Sequence, residues 1–79
     1  MKIYLYSPTN KLLCEWDAKH FQGAFPHKEE QVNFTENGQK YIGLVGSVQW
    51  TIEQTIEPDQ FTILNVKYEC WLSYMMKAN

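Results

Sequence analysis

Residues 41–76 of the chain read YIGLVGSVQWTIEQTIEPDQFTILNVKYECWLSYMM, and this stretch decides the fold. In two runs, 41–53 and 62–76, apolar side chains recur at every second position. A period of two is typical of a β-strand with one buried face. Between the runs lies Glu57-Pro58-Asp59, whose residue types favour a turn. The pattern therefore predicts a long antiparallel hairpin whose even-numbered side chains face the core.

The register of this hairpin follows from the length of its turn. A three-residue loop at Glu57-Pro58-Asp59 brings the even-numbered faces together, pairing Ile52 with Leu64 and Trp50 with Val66. A two-residue loop opposes even to odd residues, and a slip of one residue reverses every side chain. The apolar pattern therefore favours the three-residue loop.

Three shorter strands complete the predicted sheet. The expected strands are 2–6, 11–16, 31–35, 40–55 and 60–76. A four-residue loop, Ser7 to Asn10, pairs Leu5 with Leu12. A three-residue loop ending in Gly38 as a bulge residue pairs Val32 with Ile42 on the core side, and we prefer it to a two-residue Asn37-Gly38 turn.

The connection from Asp17 to Glu30 has no strand period. Asp17 is a typical N-cap and Gly23 a typical residue after a helix, which predicts a single helical turn from Ala18 to Gln22. A helix this short is not stable alone, so Phe21 must dock on the sheet.

These features predict one mainly β domain spanning residues 1–79. Its form is a five-stranded antiparallel curled sheet or a small open barrel of the SH3-like kind, with one short helical turn in the crossover loop. An α+β arrangement is the alternative. Strands of some fifteen residues exceed the usual length, so the hairpin must bend, and Gly43 and Gly46 are placed to allow it.

Composition and charge narrow the classes of partner. The chain has seven lysines, no arginine and a net charge of −2, which argues against nucleic-acid binding because that requires a basic face. No apolar run is long enough for a membrane span, and the first residues are too short and too aromatic for a signal-peptide core. Cys14 and Cys70 are interpreted as reduced core thiols, with a single disulfide between them as the alternative. With reduced thiols we expect a cytoplasmic protein, and the composition fits a prokaryotic or phage accessory protein.

One candidate site lies on the odd-numbered face of the long hairpin. In the predicted register Val45 lies beside Trp71 and Tyr41 beside Met75, which forms an apolar patch at one end of the outer face. The structural explanation is that closure of the barrel or the crossover loop covers Trp71 within the same chain. The functional interpretation is an interface, since contiguous exposed apolar patches mark partner surfaces, and a homodimer is the commonest case.

A second apolar group is expected on the same outer face near the turn. It places Phe61 beside Thr55 and Ile63 beside Glu53. This group is smaller than the first, and no separate partner is assigned to it.

A second candidate site is an aromatic cleft between loop 17–30 and the sheet. Its lining residues are Trp16, His20, Phe21 and Phe25, and concave, mostly apolar sites of this kind bind small molecules. His20 and His27 lack the close spacing of zinc ligands, so we predict no metal and no cofactor.

The chain also lacks the motifs that mark catalysis, including a nucleophile elbow, a phosphate loop and an HExxH pattern. The leading hypothesis is a non-enzymatic binding protein that self-associates through an apolar face of its C-terminal hairpin. A small-molecule binder is the alternative, and an enzyme or a single-stranded nucleic-acid binder has the least support.

Overall fold

A computed structural model describes residues 1–79 of the chain. Its elements are strand β1 (Lys2–Tyr6), strand β2 (Leu12–Asp17), a 3-10 turn (Ala18–Phe21), strand β3 (Gln31–Glu36), strand β4 (Gln39–Glu57) and strand β5 (Gln60–Lys77). All five predicted strands are confirmed, with ends within two residues of those expected. The two interruptions rich in turn residues, at 7–10 and 57–59, explain this agreement.

The five strands form one sheet in the order β2-β1-β5-β4-β3, nearly closed into a barrel. The predicted small barrel is therefore confirmed. One detail is wrong: the sheet is mixed, because β1 and β5 run parallel. β2 ends and β3 begins at the same end of the barrel, so β3 runs in the direction of β1. Because β3, β4 and β5 alternate in direction, β5 also runs in the direction of β1 and pairs with it in parallel.

Two irregularities in the β4–β5 pairing change which side chains face the core. Val45 pairs with Leu72 and the next pair begins at Ser47, so Gly46 has no partner in the ladder. On β5, Ser73 is left out in the same way. Each extra residue is a β-bulge, which shifts the alternation of its strand by one position. Core-facing residues of β4 are therefore odd-numbered before Gly46 and even-numbered after it.

Close approach of the two bulges explains the glycine. A Cβ atom on Gly46 would lie 2.7 Å from the Cβ of Ser73 and 3.2 Å from its backbone nitrogen. Backbone cannot move aside as a side-chain tip can, so any larger residue would separate the two strands here.

The bulge at Gly46 also corrects the predicted β3–β4 turn. Asn37 and Gly38 have φ angles of 50° and 79°, the positive values that a two-residue type I′ turn needs. Phe34 then pairs with Tyr41, and the two rings stack 5.4 Å apart. The sequence pattern favours a three-residue loop because that loop keeps core residues opposite even-numbered positions of β4, but in the structure the odd-numbered Tyr41 faces the core.

The β4–β5 turn likewise contains two residues, Pro58-Asp59, rather than three. Further along β5, Leu64 is a third bulge with no partner, and Ile52 pairs with Val66. From there to the Gly46 bulge, even residues oppose even residues, as predicted, but each partner is two positions away from the one expected. The bulge restores the phase that a two-residue turn alone would have reversed.

The β1–β2 pairing is displaced by the same amount. Leu5 pairs with Cys14 and Ile3 with Trp16. One position of this shift comes from the loop between Tyr6 and Leu12, which has five residues instead of four, and the other from Leu13, which is left out of the ladder. The Ser7 hydroxyl oxygen accepts hydrogen bonds from the backbone N–H of Thr9 at 3.2 Å and from that of Lys11 at 3.0 Å. These bonds tighten the turn.

The core fills the concave side of the sheet. Its fully buried apolar residues are Ile3, Leu5, Phe34, Val45, Tyr68, Cys70 and Leu72. Loop 18–30 crosses this side and covers part of it. There Phe25 packs 5.4 Å from the ring of Tyr68, whose hydroxyl donates to the Pro26 carbonyl at 2.6 Å.

The helical turn in this loop forms as expected, one residue shorter. Its N-cap is Asp17, whose carboxylate accepts from the backbone N–H of Lys19 at 3.0 Å. Gln22 and Gly23 both have positive φ and end the turn. Phe21 docks 5.5 Å from the ring of Trp16, which provides the tertiary contact that so short a turn needs.

The β4–β5 hairpin extends far beyond the barrel. β1 pairs with β5 only from Lys67 onward, and β3 pairs with β4 only up to Leu44. Residues 52–66 therefore form a two-stranded ribbon, called the arm below, with no further strand beside it. The arm explains the elongated dimensions of the molecule, 55 × 22 × 20 Å.

Candidate functional site

One face of the arm continues the core side of the sheet and is apolar. Opposed residues on its two strands share a face, and each such pair is called a rung below. The three rungs on this face are Ile52/Val66, Gln54/Ile63 and Ile56/Phe61. Phe61 is 72% exposed and Ile56 69%, although similar side chains fill the core of the barrel.

The paired residues on the other face of the arm are all polar. Its rungs are Glu53/Asn65, Thr55/Thr62 and Glu57/Gln60. The arm's charged residues are Glu53, Glu57 and Asp59, none of them on the apolar face. Antiparallel sheets normally have one packed face and one solvated face, so the arm has the pattern of a sheet whose packed layer is missing.

Loop 18–30 leaves the apolar side chains of the arm largely exposed, with Ile52 already 55% exposed. Phe25 of the loop packs 5.7 Å from the ring of Trp50, just below the first rung. Trp50 itself is still 48% exposed. The chain therefore covers the apolar side of the hairpin up to Trp50 and leaves the arm beyond it in contact with solvent.

The predicted interface residues do not form one outer patch. Val45 is buried in the core, and Tyr41 and Met75 pack against that core. The Gly46 and Ser73 bulges are the physical reason, since they turn these three side chains inward. The outer-face placement of Tyr41, Val45 and Met75 is therefore wrong.

Trp71 lies on the outer face, as expected, but within a polar network. Its ring stacks on Tyr6 at 5.1 Å with an interplanar angle of 13°, and its Nε1 donates to the Asn10 side-chain oxygen at 2.7 Å. The Tyr6 hydroxyl donates to Glu69 at 2.6 Å, and this bond, with burial, raises the pKa of Tyr6 to about 12. The same chain thus covers one face of Trp71, which leaves it little apolar area for a partner.

Glu69 is the buried charge of this network. It is 8% exposed and accepts from Tyr6, with Lys67 Nζ at 3.8 Å and the Thr51 hydroxyl at 3.4 Å. A buried carboxylate with these partners is satisfied, and the arrangement is that of a structural network.

The predicted cleft is present in part. A groove of about 440 Å³ lies between the free edges of β2 and β3, and its lining residues are Trp16, His20, Phe21, Val32, Asn33, Phe34 and Thr35. Phe25 is not among them, because it turns under the loop toward Trp50 and Tyr68. The groove therefore lies at the seam of the barrel and not beneath the whole loop.

The two cysteines are free thiols. Leu5 pairs with Cys14 on one side and with Cys70 on the other. The two cysteines are thus two strand spacings apart, about 9.5 Å, beyond the roughly 7 Å that a disulfide can bridge. Burial raises the pKa of Cys70 to about 11 and also raises the pKa of Cys14, so neither thiol is activated as a nucleophile.

The histidines do not add a site. His20 and His27 are both exposed, and no group of three or more His, Cys, Asp or Glu side chains is arranged to hold a metal ion. The single helical segment of the chain is too short to span a membrane.

Sequence reasoning missed the arm's apolar face. It placed Phe61 and Ile63 on the outer face, whereas the Leu64 bulge brings them to the same face as Ile52 and Ile56. One signal was present: Ile63-Leu64 is an adjacent apolar pair that interrupts the alternation between Gln60 and Glu69. A bulge adds one residue to a strand and shifts the alternation by one position. If the segments on both sides of the bulge keep the same face apolar, two apolar residues become adjacent in the sequence.

In comparisons with known proteins, no family model, curated protein or solved structure matches this chain.

Proposed function

We propose that the protein is a non-enzymatic interaction protein that self-associates through the apolar face of its arm. The observation that carries this proposal is the segregation of the arm into one apolar and one polar face. Exposed apolar patches rimmed by polar groups mark protein interfaces. A two-stranded ribbon is marginal by itself in water, so a second layer on this face would also stabilise the arm.

The size of the face fits a modest dimer. The face has five apolar side chains, of which Ile52, Ile56, Phe61 and Ile63 are exposed and Val66 is half-buried. At on the order of 100 Å² for each exposed side chain, they leave about 400–500 Å² per copy in water. Two copies would then bury about 800–1,000 Å², at or just below the lower limit for a specific interface. Interfaces of that size support transient association, so we expect a dissociation constant in the micromolar range.

The charges of the arm do not oppose contact between two copies of the chain. The arm carries three acidic residues and no lysine, which would oppose association if they lay at the contact. All three lie away from the apolar face, so two identical arms can approach through that face without like charges meeting.

The proposal is tested with a matched pair of lysine substitutions at neighbouring positions. Ile56→Lys places a charge on the apolar face and is expected to abolish dimerisation, because a desolvated unpaired charge is strongly unfavourable. Thr55→Lys places the same charge on the polar face and should leave dimerisation unchanged. Sedimentation velocity at matched concentrations measures the fraction of dimer in both variants. Dimers of Ile56→Lys as abundant as those of Thr55→Lys would contradict the proposal.

A second candidate function, small-molecule binding, is supported by the seam groove. Its aromatic lining, from Trp16, Phe21 and Phe34, and its polar rim of His20 and Asn33 are the usual composition of a ligand site. Such a ligand would bridge the two free strand edges and close the barrel.

Binding in the groove is tested by a screen of small planar compounds, with amide chemical shifts in the NMR spectrum as the readout. A binder is expected to move the signals of Phe21, Val32 and Phe34 while those of Asn10 and Trp71, on the opposite side of the sheet, stay fixed. A screen in which no compound moves the groove signals selectively would count against this candidate.

The two free thiols also support a cytoplasmic location for the protein. Disulfides form in oxidising compartments, and small secreted domains usually contain several. Cys14 and Cys70 are placed too far apart to form one within the fold.

A further inference from the structure

We infer that two copies stack their arms face to face and antiparallel, with Gln54 of each copy beside the twofold axis. This inference rests on the self-association proposed above and specifies its geometry. A twofold contact uses the same patch on both subunits, so the patch must be complementary to itself when reversed.

Face-to-face stacking is favoured by the distribution of charge on the arm. Pairing through the free strand edges would leave both apolar faces in water, because strands joined in one sheet keep their faces on the same sides. Stacking buries both faces in a layer about 10 Å thick, as in a β-sandwich. It also keeps Glu53, Glu57 and Asp59 on the outer surfaces of the pair.

The position of the axis follows from where the covered part of the hairpin ends. Phe25 occupies the space against Trp50, which stops a second arm from sliding further toward the barrel. Three rungs lie beyond that point, so the middle rung, Gln54/Ile63, falls at the axis of an antiparallel pair. The large Ile56/Phe61 rung of one copy then lies on the smaller Ile52/Val66 rung of the other.

Gln54 is the single polar side chain in these three rungs. Its amide carries two donors and an acceptor, so two copies of it at the axis can satisfy one another once water is excluded. At any other register the amide would lie against Ile52 or Ile56 and be buried without a partner, which costs free energy. Gln54 therefore selects this register at some expense in affinity, as a buried asparagine does in a coiled coil.

The test replaces Gln54 with a group whose self-pairing depends on pH. In Gln54→Glu the two carboxyl groups meet at the axis, where neighbouring like charges raise the pKa of carboxyl groups. Protonated carboxyl groups can hydrogen-bond to each other, whereas ionised ones repel. Dimerisation of Gln54→Glu is therefore expected near pH 4 and should weaken by about tenfold or more by pH 7.

Thr55→Glu is the matched control, because it adds the same charge one residue away on the polar face. Its dimerisation should follow the pH dependence of the wild-type chain, measured by sedimentation velocity. If Gln54→Glu behaves like Thr55→Glu, or is monomeric at both pH values, the axial placement of Gln54 is wrong. In either case the proposed function would still stand if the wild-type chain is dimeric and the Ile56→Lys chain is monomeric.

Discussion

Replacing the arm with a two-residue turn is expected to give a folded protein that is strictly monomeric. In this variant the dipeptide Asn-Gly replaces residues 52–66 and connects Thr51 to Lys67. Thr51 and Lys67 are cross-strand partners, and Asn-Gly is the preferred sequence for a type I′ hairpin turn. All seven buried core residues lie outside the excised segment, so the barrel should keep its stability.

Two measurements check this expectation. The methyl and amide NMR signals of the core residues should stay close to their wild-type positions, and sedimentation velocity should show a monomer at every concentration. The full-length chain with Thr55→Lys serves as the control, because it keeps the arm and should still dimerise. An unfolded variant would show that the arm stabilises the barrel, and a dimeric one would place the interface elsewhere.

Leu5→Ala is expected to have the largest effect on stability of any single substitution considered. Leu5 is 0% exposed and lies between two strands in the core, so its removal leaves a cavity that the neighbours fill only in part. Such substitutions cost about 2–5 kcal/mol, while a chain of this length has about 4–12 kcal/mol in total. We expect the variant to lose a large part of its free energy of unfolding.

Leu64→Ala is the matched control for this substitution. The chemical change is the same, but Leu64 is 62% exposed, so in the monomer its free energy of unfolding should change by less than about 1 kcal/mol. Urea denaturation at concentrations too low for association compares the two variants. Equal losses of stability would mean that the arm is packed within the monomer.

The strand boundaries could be predicted from the sequence because the signals are local. Turn residues such as Pro58 and the alternating runs beside them act within a few positions. The N-cap at Asp17 and the positive φ of Gly23 are local in the same way. For this reason the elements, the nearly closed barrel and the crossover turn are confirmed.

The register could not be predicted, because a bulge is a property of two strands. Gly46 was identified as a place where the hairpin bends, but nothing in β4 alone shows that Ser73 would bulge opposite it. The two bulges together reverse the phase of residues 41–45. That reversal moved Val45 from the expected surface into the core and made the Asn37-Gly38 turn compatible with it.

The same limit explains what happened to the candidate interface. The sequence pattern predicts an interface on the outer face of the long hairpin because large apolar residues remain there once the even-numbered face is assigned to the core. Which face carries the excess depends on Leu64, the third bulge. Phe61 and Ile63 were expected beside charged and polar partners but join the face of Ile56.

The central claim, self-association through the apolar face of the arm, is tested most directly by sedimentation velocity of the wild-type chain and of Ile56→Lys over a range of concentrations. We predict a wild-type sedimentation coefficient that rises from monomer to dimer through the micromolar range, and an Ile56→Lys chain that stays monomeric throughout. A wild-type chain that remains monomeric at the highest micromolar concentrations would contradict the account.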